Sequence, residues 1–443
     1  MKAFIQTLKN IWKIVDLRQR ILFTLGIVVV YRLCSYVTLP GVDPHQLTSL
    51  KSQTAGGIMS ILDMFSGGAF SNASIVALGI MPYISASIVV QLLGIAIPFF
   101  QKMQREGESG RRKINQITRY LTVLILILQA PTYLANLHYQ LPESAFLLKG
   151  ATFTIISTII LISGTMFVMW LGERITDKGI GNGISLIIMI GIIARLPRAL
   201  VQEIAMRLEG TGGGLVVFLV EIVIWLVVIA VSILLVQGTR KIPVQYAKRI
   251  VGNKQYGGVR QYIPLKVNAA GVMPIIFAQA LMMVPITLAG FASSGDSVSG
   301  FVIAFSNITG FWYNFTNAIL IILFTYFYTA VTINPTQMAE DMKRNGGFIP
   351  GVKPGKKTVE YLDSIMSRIT LPGSLFLAFV AILPAFAKML SIGNEFSQFF
   401  GGTTLLIMVG VVLDTLKQIE SHLLMRHYDG LMKSGRIKGR SGD

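Results

Sequence analysis

Apolar runs of about twenty residues, the length a helix needs to cross a bilayer, recur from one end of this chain to the other. They read as ten spans: Ile21–Leu39, Ile75–Leu93, Ile117–Leu134, Ala151–Leu171, a fifth from Ile184, Leu215–Val236, Val267–Phe291, Phe311–Val331, Ile369–Ala387 and Phe400–Leu416. The fifth reads as soon broken by Arg195, Pro197 and Arg198. With 53% hydrophobic and 14% charged residues, this is a polytopic membrane protein and not a soluble domain on one anchor. The expectation is an all-α membrane protein with ten transmembrane helices.

One stretch fits a lipid-facing helix badly. Gly56 to Leu93 lies between long apolar spans, yet Gly56, Gly57, Gly67, Gly68 and Gly79 interrupt it, with serines along its length. Broken backbone at membrane depth must be buried in protein or line a water-filled cavity. The pattern predicts a short amphipathic helix (Ile58, Ile61, Leu62, Phe65), a glycine hinge, and then a span from about Ile75 to Leu93. An ordinary loop plus one span is the simpler alternative.

The chain carries 39 Lys and Arg against 21 Asp and Glu. About 32 of the 39 bases fall on the N-terminal side of the membrane, so the charge is sorted and both termini belong in the cytoplasm. Residues 1–20 form a basic amphipathic segment suited to the inner surface, without the cleavage site of a signal peptide. The organisation follows: an N-terminal half, 21–209, a C-terminal half, 210–416, with long basic loops at 237–266 and 334–368, and a polar tail, 417–443. Five spans per half is odd, so the halves have opposite orientation and suggest a pseudo-twofold axis in the membrane plane.

Most chemistry is excluded. Cys34 is the only cysteine, and the four histidines lack zinc-site spacing. Gly179–Gly183 (GIGNG) fails the dinucleotide pattern, and Gly107–Lys113 (GESGRRK) lacks the spacing and ending of a P-loop. No nucleophile–base set falls within the spans, and no cofactor is implied. Arg32, Glu221 and Asp414 lie toward span ends, which counts against ion-coupled transport through charged midplane residues. An uncharged pore is left, with a small-solute transporter of broken helices and an assembly scaffold as the other classes. Ile80 and Ile84 are one turn apart, as are Ile184 and Ile188, while Ile276 and Ile407 sit within later spans. Facing one point, such residues make an apolar constriction that gates by dewetting. Spacing alone fits packing or lipid contact better.

Several long strings carry a family resemblance: ALGIMPYISASIVVQLL (Ala77–Leu93), EGESGRRKINQITRY (Glu106–Tyr120), GTMFVMWLGERITDKGIGNGISLII (Gly164–Ile188), YAKR (Tyr246–Arg249), PLKVNAAGVMP (Pro264–Pro274), FIPGVKPG (Phe348–Gly355) and FGGTTLLI (Phe400–Ile407). They run in order through the whole chain and closely resemble the SecY/Sec61α family of protein translocase channels. The resemblance implies ten helices in two inverted pseudosymmetric five-helix halves around an hourglass pore. It implies a plug at 56–72, including Ile58, Ile61, Leu62, Phe65, Gly67 and Gly68. The pore ring would be Ile80, Ile84, Ile184, Ile188, Ile276 and Ile407. A lateral gate would lie where spans two and three meet seven and eight, with Ser85, Gln91, Gln129 and Gln279 as its polar candidates. Arg240, Lys241, Lys248, Arg249, Lys254, Arg260, Lys343, Arg344, Lys353, Lys356 and Lys357 would dock a SecA ATPase motor or the ribosome. The family usually has arginine where this chain has Lys353, which keeps charge but loses bidentate geometry. The implied activity is passage of unfolded polypeptides and lateral release of membrane helices into lipid. The implied partners are SecE and SecG subunits, SecA, the ribosome, signal peptides and nascent chains, and membrane lipid.

Overall fold

The computed structural model describes residues 12, 14–47, 63–148, 150–209, 214–246, 249–251, 254–256, 260–279, 281–282 and 310–433. Ile58, Ile61, Leu62, Lys248 and the outer part of expected span seven lie outside the described residues. The helices are α1 (Val15–Cys34), α2 (Met81–Ala96), α3 (Pro98–Arg105), α4 (Glu108–Gln140), α5 (Ala151–Lys178), α6 (Gly183–Leu208), α7 (Gly214–Gln237), α8 (Phe311–Thr332), α9 (Pro335–Arg344), α10 (Lys356–Met389), α11 (Asn394–Ser397) and α12 (Gly402–Lys433). Among the described residues, seven helical segments are long and apolar enough to cross a membrane. They become eight if Met81–Gly94 and Pro98–Gln104 form one span. Expected spans three, four, five, six, eight, nine and ten fall on the seven, and spans one and two fall on α1 and α2. Span seven begins as a helix at residues 273–279.

Two compact units share the chain. The first comprises Met1–Gln91, Lys102–Arg195 and Val411–Asp443. In it, α4 buries a stripe of Thr118, Thr122, Leu126, Ala130, Tyr133, Leu134 and Leu137, spaced three or four apart as one helix face requires. On α5 the buried residues Phe153, Ser157, Leu161, Gly164, Val168 and Gly172 likewise recur three or four apart. Thr118 and Thr122 donate their hydroxyls to the Ile114 and Thr118 carbonyls of their own helix, 2.9 and 2.7 Å away. A polar side chain is thereby satisfied at membrane depth without a partner helix. Leu39, Val42, Phe70, Tyr133, Leu134, Leu137, Phe146 and Phe153 belong to one buried cluster.

The second unit comprises Leu92–Gln101 and Leu196–Gly410. Here α8 packs on α10. The segment Gln237–Lys266, expected as a loop, is instead an antiparallel hairpin: β1 (Thr239–Tyr246) pairs with β4 (Arg260–Lys266), Thr239 opposite Lys266 and Gln245 opposite Arg260. Two short strands, β2 (Arg249–Val251) and β3 (Lys254–Tyr256), pair with each other, and β5 (Gly347–Phe348) adds to β1. The physical reason is period-two burial. Ile242, Val244 and Leu265 enter a core with Ala339, Met342, Ile349, Leu362 and Met366, while Lys241 and Pro243 between and beside them stay exposed. The other loop, 334–368, is also largely structured. Asn334 caps α9 by accepting from the Thr336 and Gln337 amides (3.0 and 3.3 Å), and Pro335 starts the helix.

Two further expectations are corrected. Span two begins at Met81 and not at Ile75, because residues 66–80 are turns and Pro82 suits a helix's first turn. Span five is not broken at Arg195–Arg198: α6 runs through Pro197 to Leu208. Of the residues that seemed to end it, Arg195 pairs with Asp63, as described next.

Candidate functional site

The broken stretch of the sequence becomes a buried packet in the first unit. Residues 63–65 are helical, followed by turns to Ile80. Gly67 and Gly68 take φ of +66° and +88°, a region open to glycine at little cost. Met64, Phe65, Ala69 and Phe70 are buried. The packet is tied by polar contacts on several helices. Tyr31 on α1 donates to the Ser66 carbonyl (3.2 Å), and the Arg32 guanidinium donates to the Gly67 carbonyl. Tyr133 on α4 donates to the Phe70 carbonyl (3.0 Å). Asp63, 1% exposed, pairs with Arg195 of α6 at 2.9 Å and accepts from the Ser71 amide at 2.8 Å. A Cβ on Gly164 of α5 would fall 2.1 Å from the Ile75 carbonyl oxygen, so glycine is what lets this helix approach the packet.

Of the expected plug residues, Phe65, Gly67 and Gly68 lie in this packet. Four expected ring residues belong to the same unit. Ile80 (2% exposed) closes the turns, and the Ile84 amide donates to its carbonyl at 3.1 Å, one helical turn on. Ile184 and Ile188 occupy successive turns of α6, Ile188 buried and Ile184 half-buried against Gly172. Ile276 and Ile407 belong to the second unit, half-buried and buried respectively. Ile407 follows the Gly401–Gly402 start of α12, where Gly401 sits against the Val380 carbonyl and Leu383.

The expected gate residues differ in setting. Ser85 donates to the Met81 carbonyl (3.2 Å), and Gln91 donates to the Ser87 hydroxyl (3.4 Å), both within α2. Gln129 is exposed on α4, and Gln279 is half-buried. The expected docking residues Arg240, Lys241, Arg260, Lys343, Arg344, Lys353, Lys356 and Lys357 are exposed on the second unit, and Arg249 and Lys254 lie on β2 and β3.

The glycine-rich motif at 179–183 holds the chain and not a phosphate. The Ile180, Gly181 and Gly183 amides are taken by Thr24, Gln418 and Thr176 side chains at 3.2, 2.8 and 2.9 Å.

Sequence reasoning missed a charged cluster in the second unit. Arg207 of α6 donates to Glu203 (3.1 Å), to Glu221 of α7 and to the Ser391 carbonyl (3.0 Å). Glu203 also accepts from the Gly393 amide at 2.8 Å. All three charged side chains are buried. The Glu203–Arg207 spacing of four was the available signal.

This arrangement can be set beside known proteins. The SecY family profile matches residues 74–416. The protein translocase subunit SecY of Mycobacterium bovis is 44% identical over 98% of this chain and all of its own length. That of Streptomyces galbus is 43% identical over 94% of this chain and 97% of its own. Among solved structures, the chain is similar to a SecY whose plug domain is described as stabilising the closed state and maintaining a membrane seal. There the TM-score is 0.64 and the identity 18%, over 95% of this chain and 94% of that one. It is also similar to Sec61 in the canine ribosome–channel complex of the endoplasmic reticulum (TM-score 0.57, identity 17%, coverage 95% and 94%). The fold is thus that of the protein-conducting channels, and the chain belongs to the SecY family of multi-pass protein translocase subunits.

Proposed function

We propose that this subunit conducts unfolded secretory polypeptides across the cytoplasmic membrane through a constriction lined by Ile80, Ile84, Ile184, Ile188, Ile276 and Ile407. The packet at 63–72 is the described part of its plug. The observation that carries the reading is this glycine-hinged packet, buried and tied to α1, α4 and α6 directly before Ile80 and Ile84. Apolar rings resist wetting, so the constriction limits ion leak while sliding along any side chain. The two halves at 21–209 and 210–416 part at a lateral gate near Ser85, Gln91, Gln129 and Gln279. A signal peptide or membrane helix then enters lipid by its own apolar burial, about 25 cal/mol per Å².

The subunit is no enzyme. Its energy comes from a SecA motor or a translating ribosome docked on the basic hairpin and the 334–368 segment, whose exposed bases suit acidic surfaces and RNA phosphate. SecE and SecG homologues complete the complex. Both termini lie in the cytoplasm, as the sorted bases require. The test is reconstitution in proteoliposomes with these partners: a preprotein protected from external protease, dependent on the motor, is expected. Uptake of a small solute without a motor would favour a solute transporter instead.

A further inference from the structure

Ile184, Ile188, Gly191 and Arg195 follow one another at intervals of four, three and four along α6. Such positions fall within about 60° of one another around the helix axis. The stripe therefore carries two functions on one rigid element. Its first two members are constriction residues in the reading above. Its last two touch the packet: Gly191 lies against Gly67 (an added Cβ would meet the Gly67 amide nitrogen at 3.2 Å), and Arg195 pairs with Asp63 at 2.9 Å. Asp63 in turn organises the packet from its first turn. Its carboxylate accepts from the Ser71 amide, and its carbonyl accepts from the Gly68 amide at 2.9 Å and the Ser66 hydroxyl at 3.0 Å.

We propose that the Asp63–Arg195 pair is a latch that couples the width of the constriction to the seating of the plug, and so sets the threshold a signal sequence must exceed. A displacement of α6 that draws Ile184 and Ile188 outward also draws Arg195 from Asp63. A carboxylate 1% exposed cannot be left there without a counter-charge, so the packet leaves with the pair. Conversely, the seated packet holds α6, and with it the two isoleucines, in the narrow position. The coupling is reciprocal by linkage: whatever widens the ring loosens the plug, and whatever loosens the plug eases the ring. Arg32 on α1 supplies a second cation to the packet, but it reaches the Gly67 carbonyl and not Asp63, so it holds the packet without reporting on α6.

The inference rests on the channel reading, and the experiment separates the two. The full translocase complex, reconstituted with its motor, is compared as wild type, Asp63→Asn, Arg195→Gln and Arg195→Lys. Resting ion conductance is measured, together with translocation of one preprotein bearing an intact signal sequence and of the same preprotein bearing a defective one. Arg195→Gln and Asp63→Asn are expected to raise resting conductance about tenfold and to admit the defective-signal preprotein, with intact-signal translocation retained. Arg195→Lys, which keeps the charge, is expected to stay near wild type on both counts. If one neutral variant does not accumulate, the other carries the test against Arg195→Lys. Wild-type conductance and continued rejection of the defective signal in a neutral variant that still translocates the intact preprotein would overturn the latch and leave the channel standing. Failure of the wild-type complex to translocate would overturn the channel reading, and the latch with it.

Discussion

Gly67 and Gly191 meet backbone to backbone: a Cβ on Gly67 would lie 2.7 Å from the Gly191 Cα. Gly67 also needs its φ of +66°. Gly67→Ala therefore meets two separate penalties, a left-handed conformation costing about 1–2 kcal/mol for a residue with a Cβ and a clash with backbone that has no side-chain freedom to yield. The packet should seat poorly while the helices remain intact. Higher resting conductance of the reconstituted complex, with thermal stability close to wild type, is the expected outcome. Gly68, whose Cβ would meet open space, should show the conformational penalty alone and a smaller effect.

Arg207 is the sole described cation between buried Glu203 and Glu221, and it also holds the Ser391 carbonyl. Arg207→Ala would strand two carboxylates in an apolar setting, a loss of the order of 3–5 kcal/mol for a broken buried pair. Replacing all three together by apolar residues of similar size should recover most of it. Thermal unfolding of the detergent-solubilised complex checks both. A single variant as stable as wild type would show that the cluster is dispensable.

Ile276 and Ile407 are two members of the proposed constriction. An asparagine at either position puts a hydrogen-bonding group into an apolar ring and favours its wetting. Ile407→Asn and Ile276→Asn should raise ion leak and relax the demand for an intact signal sequence. Unchanged rejection of a defective-signal preprotein would count against the ring.

How much of this was legible in the sequence differs by feature. Helix length and hydropathy located the spans, because lipid forces each backbone group to be satisfied within its segment. The break in the backbone at Gly67–Gly68 was legible from the glycines, which take positive φ there. The hairpin was less so: the alternation of Ile242 and Val244 with Lys241 and Pro243 was present, but the segment's bases read first as a topology signal. Helix ends were placed short. The polar stretch Gln101–Lys113 fell outside the expected spans, whereas α3 and the first turns of α4 occupy most of it, with Glu108 pairing with Arg112 one turn on. Arg195 read as a breaker of span five because its partner, Asp63, lies on another element. Isoleucine spacing could not separate a ring from ordinary packing, and only the family resemblance pointed to those six.

The central claim is that these isoleucines surround a moving polypeptide. Its most direct test is disulfide trapping of a stalled secretory chain, with single cysteines at Ile80, Ile188, Ile276 and Ile407 after replacement of Cys34, which is half-buried and free. Crosslinks from all four positions are predicted. Crosslinks confined to the basic hairpin and the 334–368 segment would contradict the account and make this chain a docking platform.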